Sequence, residues 1–405
     1  MSNRSLARVC AVVGVVVLAA CSSDSSSEPT VLPPATATAS SAAAGTDAPA
    51  DTAVPDTAPP DTAAPDTAPS DTATSGAEST GTGDAAGFER VSPGGDCQCA
   101  DGSEFSFWVK QADPTKVMFF FQGGGACFSA DTCGFASPTY KVTTGADDDP
   151  SRLGGIFDTT NPENPVADWS VVFVPYCTGD VHIGNAATDY GDDLTVQHKG
   201  YVNGNAALDE LVARFPDAEQ VLVAGESAGS VPTPLYAGLV SDRLPDASIT
   251  VMADGSGAYP DSPPLNALVG SLWGTMDAVP DWPANAGVTP ETWSLPGLFV
   301  KAGEHAPGIA FARHDYAYDR TQTFFAALVG VAADDLVTLI DTNEDQIEAA
   351  GVELESFITP GSDHTVLAKD EVYTEEVEGV RFIDWFTELL AGRPVDDVHC
   401  TECEG

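Results

Sequence analysis

The chain has 405 residues, with 61 acidic against 16 basic side chains and a formal net charge of −45. That sign excludes nucleic acid as a partner, because phosphate binding requires clustered positive charge. In low salt it also repels anionic membranes and anionic polymers.

In chain order the first element is an export signal. Arg4 and Arg8 precede the apolar run VCAVVGVVVLAA, too short to span a bilayer, and Cys21 follows small residues. The LAAC at 18–21 resembles a bacterial lipobox, which implies that residues 1–21 are a processed signal and that Cys21 becomes a lipidated first residue anchoring the protein to a membrane. Residues 22–86 are almost wholly Ser, Thr, Ala, Pro, Gly and Asp, without an aromatic side chain. Such a segment cannot bury enough apolar surface to offset its ordering entropy, so it reads as a disordered linker. DTA recurs within it at 51, 56, 61, 66 and 71, a period far below that of stacked solenoid repeats, and its prolines stiffen an extended tether.

Residues 87–405 have the length of an α/β enzyme domain with insertions. Short β-branched or aromatic runs recur along them: KVMFFF (116–121), SVVFVP (170–175), EQVLVAG (219–225), SITVMAD (248–254), GIAFARHD (308–315) and LESFITP (354–360). NAALDELVARF (205–215) and VRFIDWFTELLAG (380–392) carry apolar positions at helical spacing. Apolar strands alternating with helices predict a mostly parallel sheet covered on both faces, with ligands beyond the carboxyl ends of the strands. The loops after the strands are therefore where chemistry is expected: QGGGACFSADTC, YCTGDVHIGN and ESAGS.

The cysteines of this domain are Cys97, Cys99, Cys127, Cys133, Cys177, Cys400 and Cys403. The two close pairs at opposite ends have zinc-ribbon spacing within each pair, but some 300 residues separate them and an exported chain meets oxidising conditions. Disulfides are the expectation, with a local bridge between Cys127 and Cys133 and one thiol of the seven left over.

A serine hydroxyl becomes a nucleophile when a base takes its proton and a sharp strand-to-helix turn projects it from the backbone. Gly225-Glu226-Ser227-Ala228-Gly229 supplies that pattern after a predicted strand and before the helix candidate SVPTPLYAGLVSDRL (230–244). Developing oxyanion charge needs preorganised N–H donors; Gly123-Gly124-Gly125 after an early strand and Ala228 after the serine stand where an α/β-hydrolase places them. No GK[ST] or GxGxxG accompanies these glycines, which argues against a phosphate cradle or a dinucleotide site. The hydrolase order of serine, acid, histidine leaves His305, His314, His364 and His399 as bases. His364, in ITPGSDHTVL, lies where a loop can bring an imidazole over the sheet. IAFARHDYAYDRTQ offers Asp315 and Asp319 as the acid, and chain order leaves both open.

These segments resemble the pectinacetylesterase and Notum family of carboxylesterases. The resemblance runs through CADGSEFSFWV, FFFQGGGACFSADTC, VVFVPYCTGDVHIGN, HKGYVNGNAAL, VLVAGESAGS, ADGSG, YDRTQ and GSDHTVL, in order, between 97 and 391. It implies Ser227 as nucleophile, Gly124, Gly125 and Ala228 as oxyanion donors, Asp319 rather than Asp315 as acid, and His364 as base. Two departures bear on the acyl pocket and the turn: the family's large aromatic residue near the glycine loop is replaced by Gly125-Ala126, and the second glycine after the serine motif becomes Ser230.

The expectation is an α/β-hydrolase-fold serine carboxylesterase, exported and displayed on a lipid-anchored stalk. It would act without metal or cofactor on acyl esters, acetyl groups of a polysaccharide first among them by resemblance. The rival expectations are a non-catalytic surface binding protein on the same fold, and a lipase or peptidase that shares the serine, acid and histidine but differs in its pocket.

Overall fold

The structure is a computed structural model that describes residues 87–401 and 403. The signal 1–21 with Cys21, and the linker 22–86, lie outside the described residues.

The strands in chain order are β1 (Glu89–Val91), β2 (Phe107–Lys110), β3 (Asp113–Phe121), β4 (Trp169–Val174), β5 (Ala186–Asp189), β6 (Thr195–His198) and β7 (Gln220–Glu226). They continue as β8 (Ser248–Asp254), β9 (Ala310–Tyr316), β10 (Leu354–Thr359), β11 (Glu376–Val377), β12 (Val380–Arg381) and β13 (Val398–His399). The helices are α1 (Ala130–Cys133), α2 (Gly200–Arg214), α3 (Thr233–Arg243), α4 (Pro263–Leu272), α5 (Leu295–His305), α6 (Arg320–Leu328), α7 (Leu336–Ala349) and α8 (Phe382–Leu390).

Nine strands form one sheet in the order β1-β2-β4-β3-β7-β8-β9-β10-β13. β2 runs antiparallel to both of its neighbours, and every other pairing in the sheet is parallel. Each apolar run read from the sequence as a strand is one. The edge strands β1 and β13, the inner strand β2, and the hairpins β5–β6 and β11–β12 are not among those runs.

Strand side chains alternate between faces with period two, and β3 shows the consequence. Phe119 and Phe121 enter one core cluster with residues of α2, α3 and α5, while Met118 and Phe120 enter a second cluster with residues of α7 and α8. All three phenylalanines are fully buried, each worth roughly 2–3 kcal/mol of apolar transfer. This two-sided burial is why the strand reads as a continuous apolar run.

Disulfides join Cys99 to Cys177, Cys127 to Cys133 and Cys400 to Cys403, and among the described residues Cys97 is the unpaired, buried thiol. The Cys99–Cys177 bridge ties the segment before β2 to the loop after β4. Among the described residues, no helix is long and apolar enough to cross a membrane.

Candidate active site

β3, β7, β8, β9 and β10 run parallel side by side, so the loops that follow them meet beyond one end of the sheet. Ser227 follows β7 with φ +53°, a left-handed backbone for a residue with a Cβ. The motif's glycines are compelled by packing: a Cβ on Gly225 would overlap the Gly229 carbonyl oxygen, and one on Gly229 would overlap the Phe121 carbonyl oxygen of β3. Strain of this kind persists only when the surroundings enforce it. Ser230 helps, its hydroxyl donating to the Ser227 carbonyl oxygen at 2.6 Å.

The glycine loop lies directly against this turn. A Cβ on Gly123 would stand 2.7 Å from the Ser227 Cβ, and Gly125 has φ +78°. Ala126 N–H donates to the Thr139 carbonyl oxygen at 3.1 Å, and the Gly124 carbonyl oxygen accepts from Lys141 N–H at 2.9 Å. Among the described residues the N–H groups of Gly124 and Gly125 have no such partner, which leaves them available as donors.

His364, after β10, packs against Gly255 after β8: a Cβ there would lie 3.3 Å from the imidazole Cε1. Its Nδ1 is 2.6 Å from Asp319 Oδ2. Asp319 also caps α6, its Oδ1 accepting Thr321 N–H at 2.8 Å and Gln322 N–H at 3.0 Å. Burial disfavours a charge on His364, but the Asp319 hydrogen bond and the charges of Asp319, Asp254 and Glu226 outweigh it and raise the pKa above the ordinary histidine value. The other ring nitrogen, Nε2, is buried and makes no hydrogen bond among the described residues. His364 and Ser227 line the same cavity. Catalytic hydrogen bonds often tighten only with substrate bound.

Chain order left the acid open between two aspartates, and the structure gives them different work. Asp315 Oδ1 accepts Gly257 N–H at 2.9 Å and Gln322 Nε2 at 2.8 Å, while Arg313 Nε lies 3.8 Å from its Oδ2. Burial pushes its pKa up, opposed by Arg313. Gln322 Nε2 also reaches Asp319 Oδ2 at 3.2 Å, linking the two carboxylates. The remaining histidine candidates stand elsewhere: His305 on Asp242, His399 on Asp341, and His314 fully buried on Asp254.

Sequence reasoning gave Asp254 no role. One of its carboxylate oxygens accepts from both Val366 N–H and Leu367 N–H at 2.8 Å, and the other meets His314 Nδ1 at 2.8 Å. His314 Nε2 in turn lies 3.0 Å from Thr359 Oγ1. This buried set fixes the loop that carries His364. The available signal was an acidic residue closing the apolar run SITVMAD, where a strand's carboxyl end meets the ligand side of the sheet.

The cavity holds about 610 Å³ of empty space including its mouth. Ala126, Val231, Val269, Trp273 and Phe325 contribute to a mostly apolar wall, and among the described residues no carboxylate, lysine or arginine lines it. Ala126 is a small residue in that wall.

Residues 91–268 match the family model described as pectinacetylesterase. A palmitoleoyl-protein carboxylesterase, notum2 of Xenopus laevis, is 33% identical over 137 residues, covering 32% of this chain and 27% of that one. The human palmitoleoyl-protein carboxylesterase NOTUM is 29% identical over 36% of this chain and 30% of its own. Pectin acetylesterase 5 of Arabidopsis thaliana is 23% identical over 39% and 38%. The chain thus spans about a third of the length of the curated relatives it matches. The crystal structure of the Wnt deacylase Notum from Drosophila superposes with a TM-score of 0.56 at 15% identity, covering 78% of this chain and 98% of that one. At that identity the likeness establishes the fold.

Proposed function

We propose that this chain is a serine carboxylesterase. The observation that carries the reading is the shared cavity: a serine on a strained turn and a histidine hydrogen-bonded to a buried carboxylate open onto one apolar space. Ser227 attacks the ester carbonyl as His364 Nε2 takes its proton. The tetrahedral oxyanion is met by the N–H groups of Gly124, Gly125 and Ala228. Asp319 holds the imidazole with Nδ1–H toward it and stabilises the imidazolium that forms. His364 then protonates the leaving alcohol, and a water activated by the same nitrogen releases the acyl group from Ser227.

The apolar character of the cavity wall suits a hydrocarbon chain, so we assign it to an acyl chain longer than acetyl. The net charge of −45 opposes a polyanionic polysaccharide as the carrier and leaves neutral alcohols or proteins. Acetylated polysaccharide, the expectation from family resemblance, is the alternative that an ester panel separates. Export is supported by the three disulfides, and membrane attachment through Cys21 by the lipobox-like LAAC.

The test is labelling with a fluorophosphonate together with hydrolysis of aryl esters from acetyl to decanoyl. Labelling lost in Ser227→Ala and a rate maximum beyond acetyl are expected. A chain that neither labels nor hydrolyses any of these esters would return the reading to a binding protein on a hydrolase fold.

A further inference from the structure

Glu226 occupies the variable position before Ser227 and closes β7. Register places it opposite Asp254 on β8, and Asp254 opposite His314 on β9. Residues paired across neighbouring strands project to the same face, so these three titratable side chains form a row at the carboxyl end of the sheet. The same face two residues earlier carries Ala224, Met252 and Ala312, all in the second core cluster. Beyond that end of the row lies the segment 364–369, whose Val366 and Leu367 amides rest on Asp254.

The two carboxylates of the row differ in their partners. Asp254 is fully buried and accepts from two amides while meeting the His314 imidazole. Glu226 is half-buried, and no side chain among the described residues hydrogen-bonds to it. The groups that face it are Asp254 on β8, His364 and Lys369 in the segment after β10, and the Gly123 amide in the loop after β3. Lys369 itself is tied to this segment, its Nζ donating to the His364 carbonyl oxygen at 2.7 Å.

We infer that Glu226 is a positioning residue that acts electrostatically through His364: a second carboxylate, besides Asp319, whose negative charge favours the imidazolium formed when Ser227 loses its proton. The inference rests on the esterase reading for its catalytic consequence, but not for its electrostatic content. Coulomb interactions across a partly desolvated site exceed those in water, and charge placed before the reaction costs no reorganisation during it. Burial and the Asp254 charge push the Glu226 carboxyl up to about 7, with His364 and Lys369 opposing. Glu226 and His364 therefore titrate as a linked pair, and Glu226 withdraws its support as it becomes protonated on the acid side.

The experiment uses the full chain and its Glu226→Gln and Glu226→Asp variants. The His364 Cε1–H resonance, assigned by its loss in His364→Gln, is followed by NMR from pH 5 to 9, beside the pH profile of kcat/KM on an aryl ester. In Glu226→Gln the His364 titration and the acid limb of the profile are expected to move together to lower pH by about half to one unit, a 3- to 10-fold change in the protonation constant. Glu226→Asp, which keeps the charge, is expected to restore at least part of that shift. A Glu226→Gln protein with native chemical-shift dispersion whose His364 titration coincides with the wild type would overturn the inference. The two readings fail separately: a wild-type chain without Ser227-dependent hydrolysis sinks the esterase reading while the NMR comparison still decides the role of Glu226.

Discussion

Asp254 is the residue whose loss is expected to cost most for its size. In Asp254→Ala, the buried N–H groups of Val366 and Leu367 and the buried His314 Nδ1 lose their acceptor together. A hydrogen bond to a charged group is worth about 1.5–3 kcal/mol, and removing one member of a buried pair typically costs about 3–5 kcal/mol; the latter is the expected loss. It is large against the roughly 5–15 kcal/mol by which a domain is stable. Asp254→Asn should lose much less. Its single oxygen can still accept both amides, its NH2 can donate to an unprotonated His314 Nδ1, and the ring proton can move to Nε2, which Thr359 Oγ1 already faces at 3.0 Å. About 1 kcal/mol is expected there, the difference between a charged and a neutral acceptor. Urea unfolding at pH 7, compared by midpoint and slope, reads both variants, and ester hydrolysis reads the His364 loop. An Asp254→Ala protein with the midpoint and slope of the wild type would refute the argument. So would an Asn variant as unstable as the Ala variant, because nothing would then depend on acceptor count.

Three further outcomes follow from the same geometry. Ser227 is held at φ +53°, so Ser227→Gly should unfold at higher urea than Ser227→Ala by an amount equivalent to about 1 kcal/mol, with fluorophosphonate labelling lost in both; equal midpoints would show that the turn stores no strain. Ala126 lines the cavity, so Ala126→Phe should lower the octanoyl-to-acetyl ratio of kcat/KM by at least about tenfold, and an unchanged ratio would place the acyl chain elsewhere. The Glu226 carboxyl is raised to about 7 from an ordinary value of 4.5, so the folded form favours its protonated state. Its contribution to stability is full below about 4.5 and is lost as pH rises through 7. Melting curves should accordingly show Glu226→Gln gaining on the wild type between pH 5 and pH 8; a constant difference would mean that Glu226 is not raised.

By itself the sequence determined what depends on neighbouring residues. The β3, β4, β7 and β8 runs are apolar because both faces of each strand are buried, and that pattern survives in one dimension. Gly225 and Gly229 are legible for a similar reason: their positions beside Ser227 are set by how closely the turn approaches itself and β3. The order of glycine loop, serine, aspartates and histidine carried the hydrolase reading. The sequence does not contain convergence. Asp315 and Asp319 sit four residues apart, and only the direction in which α6 leaves β9 puts one carboxylate on His364 and the other on Gly257 and Arg313. The sheet order likewise separates the four histidines, placing His364 in the loop after β10 with Asp319 and sending His314 into the interior beside Asp254. Asp254 and Glu226 went unread because each acts on a loop more than a hundred residues later in the chain, and such a contact leaves no periodicity, cap or spacing in the sequence to mark it.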